Sequence, residues 1–400
     1  MLTRVQGERQ AYLDTLRSLV SIESGSGDIE GLNRIAEFIA GRLRSLGGQV
    51  ELVDPPADMV RFENTPPRTG RAVVARFRGT GTKRILLLAH MDTVYQKGML
   101  AKQPFRIDAD RAYGLGIADD KHGVAMVLHL MATLKALNVT NYGLITVQVN
   151  GDEEVGTAGS RTLITTLGSE HDLVMSFEGA GGDDAVRLTT AGIASVQLKV
   201  TGRASHAGAA PEDGRNALYE LSHQILQTRD LSNDVTGVKM NWTVASAGTV
   251  KNVIPAEARA TADVRVLRVS DYDGIEQQVR DRLRKQLIPD TKVEMVFERT
   301  RPPLEATAAA RTVAAHAKRI YKEIGKELEV HDQAPGGGTD AAFASLMTKA
   351  AVIEGFGVMS YGAHSNESEF IEISSITPRL YLATRLVMDA AQGKAGKTTN

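Results

Sequence analysis

His90, Asp119, Glu154 and Glu178 are side chains of the types that hold divalent cations, and three of them come directly after short apolar runs. Ile85-Leu86-Leu87-Leu88 leads into Ala89-His90-Met91-Asp92, 144–149 into Asn150-Gly151-Asp152-Glu153-Glu154, and 172–177 into Glu178. Branched apolar runs of this length read as buried strands of a parallel sheet. Ligands of open α/β sheets bind just outside the carboxyl ends of such strands. A single histidine at a strand end is more often a satisfied structural residue than a ligand. Three neighbouring strands that each discharge an ionisable group there are harder to attribute to chance. Asp92 could bond the second ring nitrogen of His90 and fix its tautomer.

If His90, Asp119, Glu154, Glu178 and a later histidine converge, they exceed the three protein ligands of one catalytic zinc. They suit two metals roughly 3.5–4 Å apart with one carboxylate between them. Asp119 is the natural bridge, because a helix start and its preceding loop can present both oxygens. Of the adjacent Glu153 and Glu154, one would ligate and the other stay free as general base for a metal-acidified water. Plainer readings stand beside these: an N-cap for Asp119, and a solvated acidic turn for Glu153-Glu154.

The elements that must position these groups are legible in outline. Residues 9–21 and 30–47 read as amphipathic helices, 49–53 and 71–78 as strands around a Pro-rich connection. After Gly116-Ile117-Ala118-Asp119-Asp120-Lys121-His122-Gly123, the repeat Val124, Val127, Leu128, Met131 and Leu134 has helical spacing, with Asp119 or Asp120 at its N-cap. From Gly192 the order is strand 195–202, helix 215–229, strands 241–247 and 259–266, helix 271–287 and strand 292–299. That β-α-β-β-α-β order is that of a ferredoxin-like unit, inserted over 192–302 into a first domain made of 1–191 and 303–400. Helix 307–325, the loop at 335–340, strand 351–354 and helix 374–391 complete the first domain, and the tail 393–400 is expected to fray. The fold class expected is α/β, a mixed sheet flanked by helices with an inserted α+β module.

Composition narrows the function. Lys+Arg 47 against Asp+Glu 48 leaves a net charge of −1, so no basic field argues for nucleic acid or an anionic membrane. No apolar run approaches the roughly 20 residues that span a bilayer, and the start MLTRVQGERQAYL lacks a signal-peptide core. As written the chain reads as cytoplasmic, or periplasmic if a leader was removed. The absence of cysteine rules out disulfides, thiolate zinc sites and a cysteine nucleophile. Gly114-Leu115-Gly116 is a poor nucleotide signal, since no G-x-G-x-x-G follows a strand.

Five separated segments, in order, carry a resemblance: His90-Met91-Asp92-Thr93-Val94, Gly116–Lys121, Gly151-Asp152-Glu153-Glu154, Ser176-Phe177-Glu178 and a histidine near the C-terminus. They resemble the co-catalytic zinc exopeptidases of the aminoacylase and carboxypeptidase G family, the glutamate carboxypeptidase branch most closely, through stretches such as Ala204-Ser205-His206-Ala207-Gly208-Ala209-Ala210-Pro211. The resemblance implies His90, Asp119 and Glu178 on one zinc, and Asp119, Glu154 and His364 on the other. It implies Glu153 as general base, Asp92 as partner of His90, and a cis Asp119–Asp120 peptide. On residue type alone, His364 would pass for a surface histidine.

The family's inserted module dimerises, and the histidine matching His206 reaches the partner's zinc site to steady the oxyanion. Asn252, Arg265 and Arg301 match positions that grip the substrate, and Gly337, Gly338 and Thr339 a backbone segment lining the pocket. Two arginines and an amide suit a C-terminal amino acid, although Arg265 inside a strand could equally form a cross-strand ion pair. Two positions depart from the family. Ala185 falls where a lysine is usual, so either Arg187 substitutes as anchor for a side-chain carboxylate or the pocket has lost its glutamate preference, and His122 replaces a usual glycine. The expectation is a homodimeric dinuclear zinc hydrolase, with zinc or another divalent metal, acting on N-acyl amino acids or peptides. A metal-bound hydroxide and Glu153 would release a C-terminal residue, glutamate above all, from folate-type substrates. An aminoacylase, a dipeptidase of another preference, or a silent binding protein on the same fold are the alternatives.

Overall fold

The computed structural model describes residues 1–334, 336–365 and 368–395. Of the segments discussed above, residue 335 of the glycine-rich loop and 396–400 of the tail lie outside the described residues. Two compact units emerge, one made of Met1–Thr189, Glu305–Gln333 and Thr339–Asn400, the other of Thr190–Leu304 with Ala334–Gly338.

The larger unit is built on a six-stranded sheet in the order Gln49–Val53, Ala72–Arg78, Leu144–Asn150, Arg84–His90, Leu173–Ser176, Ala351–Ile353. The first two strands run antiparallel, and the remaining four are parallel to one another. Leu86, Leu87, Val147 and Val174 are fully buried, as continuous apolar strands of a covered parallel sheet should be. Parallel pairing aligns the carboxyl ends. His90 lies opposite Asn150, and Leu88 opposite Ser176, so the segments leading to Glu153, Glu154 and Glu178 leave the sheet along one edge with His90.

Helix His122–Ala136 is apolar on nearly every side and buried to match. Helices Leu2–Val20 and Ile376–Ala391 pack against it. The first helix begins earlier than its apolar period suggests, because Glu8 interrupts that period. Glu8 is nonetheless buried, ion-paired with Arg4 and 2.8 Å from His129 Nδ1. Side-chain caps fix other helix starts: Asp28 accepts from the Gly31 N–H and Thr307 from the Ala310 N–H. Two features lie outside the elements read from the sequence. Helix Arg161–Ser169 is one. The other is a small sheet ordered Ser360–Tyr361, Phe370–Glu372, Arg111–Tyr113, Arg106–Asp108, whose strands are too short to show alternation.

In the smaller unit, strands Gly192–Thr201, Lys239–Ala247, Glu257–Val266 and Lys292–Arg301 alternate with helices Ala217–Thr228 and Asp271–Leu283 in β-α-β-β-α-β order. The antiparallel sheet order is second, third, first, fourth, which is ferredoxin-like topology. Ala194, Val196, Leu198 and Val200 alternate inward beneath the two helices. No helix among the described residues is long and apolar enough to cross a membrane.

The central strand should be the most sensitive to truncation. Leu87→Ala removes a fully buried side chain and should cost about 2–5 kcal/mol of unfolding free energy. Val235→Ala, at a residue 97% exposed, should stay within about 0.5 kcal/mol. Urea unfolding of both variants checks the contrast.

Candidate metal centre

His90 is the last residue of its strand and is almost completely buried. Its Nε2 lies 2.8 Å from Asp119 Oδ1 and 3.3 Å from Glu178 Oε1. Its Nδ1 faces Asp92, 3.1 Å from the carbonyl oxygen and 3.3 Å from Oδ1. The other oxygen of Asp119, Oδ2, lies 3.0 Å from His364 Nε2, which is also 3.2 Å from Glu154 Oε2. Two triads therefore share Asp119, one oxygen turned to each: His90, Asp119, Glu178 and Asp119, Glu154, His364.

Local structure aims each group. Asp119 and Asp120 sit in the turn Ile117–Lys121, outside helical backbone geometry and joined by a cis peptide. Neither aspartate is the N-cap, which is Lys121, but Asp120 bonds the first turn of the following helix: its Oδ1 accepts from the Gly123 N–H, while Oδ2 accepts from the His90 N–H. Gly123 is required there, since a Cβ would lie 2.3 Å from both Asp120 Oδ1 and the Phe177 carbonyl. Asp92 is fully buried and accepts from the N–H groups of both Glu153 and Glu154, at 3.0 and 3.1 Å, and from the Ser26 hydroxyl at 2.8 Å. One carboxylate thus sets the His90 ring and the acidic pair together.

Several supporting acids were invisible in the sequence. Glu369 is buried and accepts from the N–H groups of Gly116 and Ala118 and from the Tyr95 hydroxyl, bracing the turn that delivers Asp119. Burial pushes its carboxyl up to about 7. Asp152 accepts from the Gly159 and Ser160 N–H groups, and Asp340 from the Asn150 amide at 2.6 Å. A glutamate five positions past His364 in a polar loop carries no local mark of burial.

The electrostatics fit divalent cations. Burial pushes the Glu154 carboxyl up to about 8, against the His364 hydrogen bond, and lifts Glu178 well above the carboxylate range. Burial also opposes ionisation of Asp119, but hydrogen bonds from His364 and His90 hold its carboxyl well below the usual range. Hydrogen bonds to Asp119 and Glu154 raise the His364 imidazole to about 10. Carboxylates packed this tightly need positive charge. Two imidazoles and three carboxylates are the nitrogen and oxygen donors that zinc accepts. The ligand atoms of each triad lie within 4.8 Å of one another, and Glu154 Oε1 is buried with no hydrogen-bond partner. The residues fit the metals that the sequence implies.

The remaining candidates divide between the units. In the smaller one, exposed His206 accepts from the Gly208 and Ala209 N–H groups through Nδ1, and its neighbour Ala207 bonds the Asn252 carbonyl. Arg265 grips Asp263, two residues along the same strand, through two 2.9 Å bonds, so the expected ion pair forms within the strand rather than across it. Its third bond, at 3.1 Å, reaches the Gly336 carbonyl. Arg301 is buried beside Gly338, where a Cβ would sit 2.9 Å from Arg301 Cδ, and the Gly337 carbonyl accepts from the Ala191 N–H. In the larger unit Thr339 is buried and bonds Glu354, Ala185 is fully buried, and Arg187 is engaged by main-chain carbonyls.

His122 is fully buried, its Nδ1 3.4 Å from Asp120 Oδ1, and burial holds its imidazole down to about 3. It therefore brings no positive charge to the centre near neutrality. In the unfolded chain a histidine takes up its proton near pH 6.5. Between pH 6.5 and 3 the unfolded state binds a proton the folded state refuses, so stability falls with falling pH by up to about 1.4 kcal/mol per pH unit. The raised carboxyls of Glu154 and Glu369 act in the opposite sense over the same range, so the histidine is read from a difference. In urea unfolding of chelator-treated protein at pH 7, 6 and 5, His122→Gln should gain stability relative to wild type as the pH falls, with a slope approaching one proton.

Residues 86–389 match the peptidase family M20/M25/M40. Carboxypeptidase G2 of Pseudomonas sp. (strain RS-16) is 44% identical over 388 residues, covering 97% of this chain and 91% of that protein. One subunit of the p-aminobenzoyl-glutamate hydrolase of Escherichia coli (strain K12) is 27% identical over 342 residues, 74% of this chain and 73% of its own. A solved tripeptidase from Staphylococcus aureus matches with a TM-score of 0.77 at 19% identity, over 96% of this chain and 99% of that one. An M20 family metallo-carboxypeptidase from Sulfolobus solfataricus matches with a TM-score of 0.75 at 17% identity, over 95% and 99%. At such identities the two structures speak for the fold. Together with the paired triads, the family match and the carboxypeptidase G2 likeness identify the chain as a member of peptidase family M20/M25/M40, a carboxypeptidase G-like metallo-exopeptidase.

Proposed function

We propose that this enzyme releases a C-terminal amino acid, glutamate by preference, from folate-type, N-acyl or peptidyl substrates. The observation that carries the reading is the sharing of Asp119 between His90 and His364, each completed by a second carboxylate. The likeness to carboxypeptidase G2 supplies the choice of bond and substrate. His90, Asp119 and Glu178 would hold one divalent ion and Asp119, Glu154 and His364 the other, zinc being the first candidate. Such a pair, when bound, supplies a Lewis acid that polarises the scissile carbonyl and acidifies water to a pKa of about 7.

The rest of the reaction falls to the side chains. Glu153 is nearly buried, and its N–H is fixed on Asp92. Its carboxylate takes the proton of the attacking water and returns it to the leaving nitrogen, so the amide C–N bond breaks with the amine neutral. Asp92 keeps His90 in one orientation and holds the peptide of Glu153 relative to it. Asn252, Arg265 and Arg301, with the Gly337 and Gly338 backbone, are assigned to the substrate's carboxylates. In the proposed homodimer, formed through the smaller unit, His206 steadies the oxyanion.

Glu153→Gln should lower kcat by about 10²–10⁴-fold while elemental analysis still finds two metals per chain. Near-normal turnover with both metals bound would contradict the mechanism. A panel of p-aminobenzoyl-glutamate, pteroyl-glutamate and N-acetyl amino acids tests the substrate. The proposal expects the glutamate compounds to show the highest kcat/KM. Preference for N-acetyl amino acids of other side chains would make the enzyme an aminoacylase, and no hydrolysis of any would leave a binding protein.

A further inference from the structure

Arg187 carries out a task the sequence does not suggest. We infer that it is a positioning residue for Glu178, and not the anchor for a substrate carboxylate. Its Nη1 donates to the Gly179 carbonyl at 2.8 Å and its Nη2 to the Ala180 carbonyl at 3.4 Å, the two peptide oxygens that follow Glu178. The fork that would grip a carboxylate bidentately is turned onto the main chain.

The arginine is itself held. Its N–H donates to the Glu354 carbonyl at 2.9 Å, and the Glu354 N–H donates back to the Arg187 carbonyl at 3.0 Å. Glu354 follows the fourth parallel strand, is 5% exposed, and accepts from the Thr339 hydroxyl at 2.6 Å. Burial pushes the Glu354 carboxyl up, and the Thr339 hydrogen bond and the charge of Arg187 oppose that rise. An acid thus backs the guanidinium from inside the fold.

The segment being clamped is fixed from other directions as well. The Phe177 N–H bonds the Leu88 carbonyl, the Glu178 carbonyl accepts from the Gly357 N–H, and the Ala180 N–H bonds the Val358 carbonyl. Arg187 closes the remaining side, over Gly179 and Ala180. These glycine and alanine peptides have little side chain of their own to hold them. Without the guanidinium, the backbone just past Glu178 loses two acceptor contacts, and the Glu178 carboxylate, 3.3 Å from His90 Nε2, loses its fixed direction.

The inference rests on the reading of Glu178 as a metal ligand, and Co²⁺ loading of the full chain tests both. Wild-type protein should take up two Co²⁺, and Arg187→Ala should bind one of them at least about tenfold more weakly in chelator competition, as loss of an outer-shell partner does. Its visible Co²⁺ absorption should change, and kcat should fall alike for substrates ending in glutamate and in methionine. Arg187→Gln keeps a donor for one carbonyl and should lie between wild type and alanine, which separates positioning from a failure to fold. Unchanged Co²⁺ affinity and spectrum in both variants, with a KM rise confined to glutamate substrates, would make Arg187 the anchor and overturn the inference. Wild-type protein that takes up no Co²⁺ would instead sink the ligand reading, and this inference with it.

Discussion

A single carboxylate held between two imidazoles is the constraint the larger unit is built around. Asp119 turns one oxygen to His90 and the other to His364, residues far apart in the chain. Glu154 and Glu178 crowd the same space, and Asp120 lies buried beneath it. Burial disfavours ionised carboxylates, and like charges disfavour one another. A fold that gathers so many acids in one place must either keep some of them protonated or bring in positive charge. Both imidazoles supply part of it, and the donor geometry suits divalent ions for the rest.

The parallel sheet explains why the convergence is possible. A strand leaving the carboxyl edge must turn back over one face, and its first exposed residues stay near those of its neighbours. His90, the Glu153-Glu154 pair, Glu178 and Glu354 all end or follow strands of one parallel set. Asp119 and His364 come from turns instead, and each turn needs bracing. Glu369 braces the first by bonding the Gly116 and Ala118 N–H groups ahead of Asp119, and the Tyr95 hydroxyl, which bonds Glu369 and the Ser365 carbonyl, holds the residue after His364. The outer layer of the site is therefore acidic too, its acids held by peptide N–H groups, hydroxyls and the Asn150 amide.

What the sequence made legible was local. His90, Glu154 and Glu178 announce themselves because an apolar run and its ligand are adjacent in the chain. The β-α-β-β-α-β order of the smaller unit is readable for a similar reason, since its strands are long enough to alternate. His364 follows a strand of two residues and could be found only by resemblance. Glu369, Asp152, Asp340 and Glu354 look like solvated acids until their partners arrive from distant positions. Arg187 is a similar case: charge and place suggest a substrate anchor, and no sequence pattern announces the carbonyls it holds. The small sheet of two- and three-residue strands joins two short antiparallel pairs through the distant pairing of Phe370–Glu372 with Arg111–Tyr113.

In the proposed mechanism, both the chemistry and the stability of the centre depend on two cations meeting at Asp119. Crystals of zinc-loaded protein, with anomalous difference maps on either side of the zinc absorption edge, address this directly. Two peaks about 3.5 Å apart, flanking the Asp119 carboxylate with one against His90 and Glu178 and the other against Glu154 and His364, are the predicted result. A map with no peak at Asp119, or with zinc only at residues elsewhere, would contradict it.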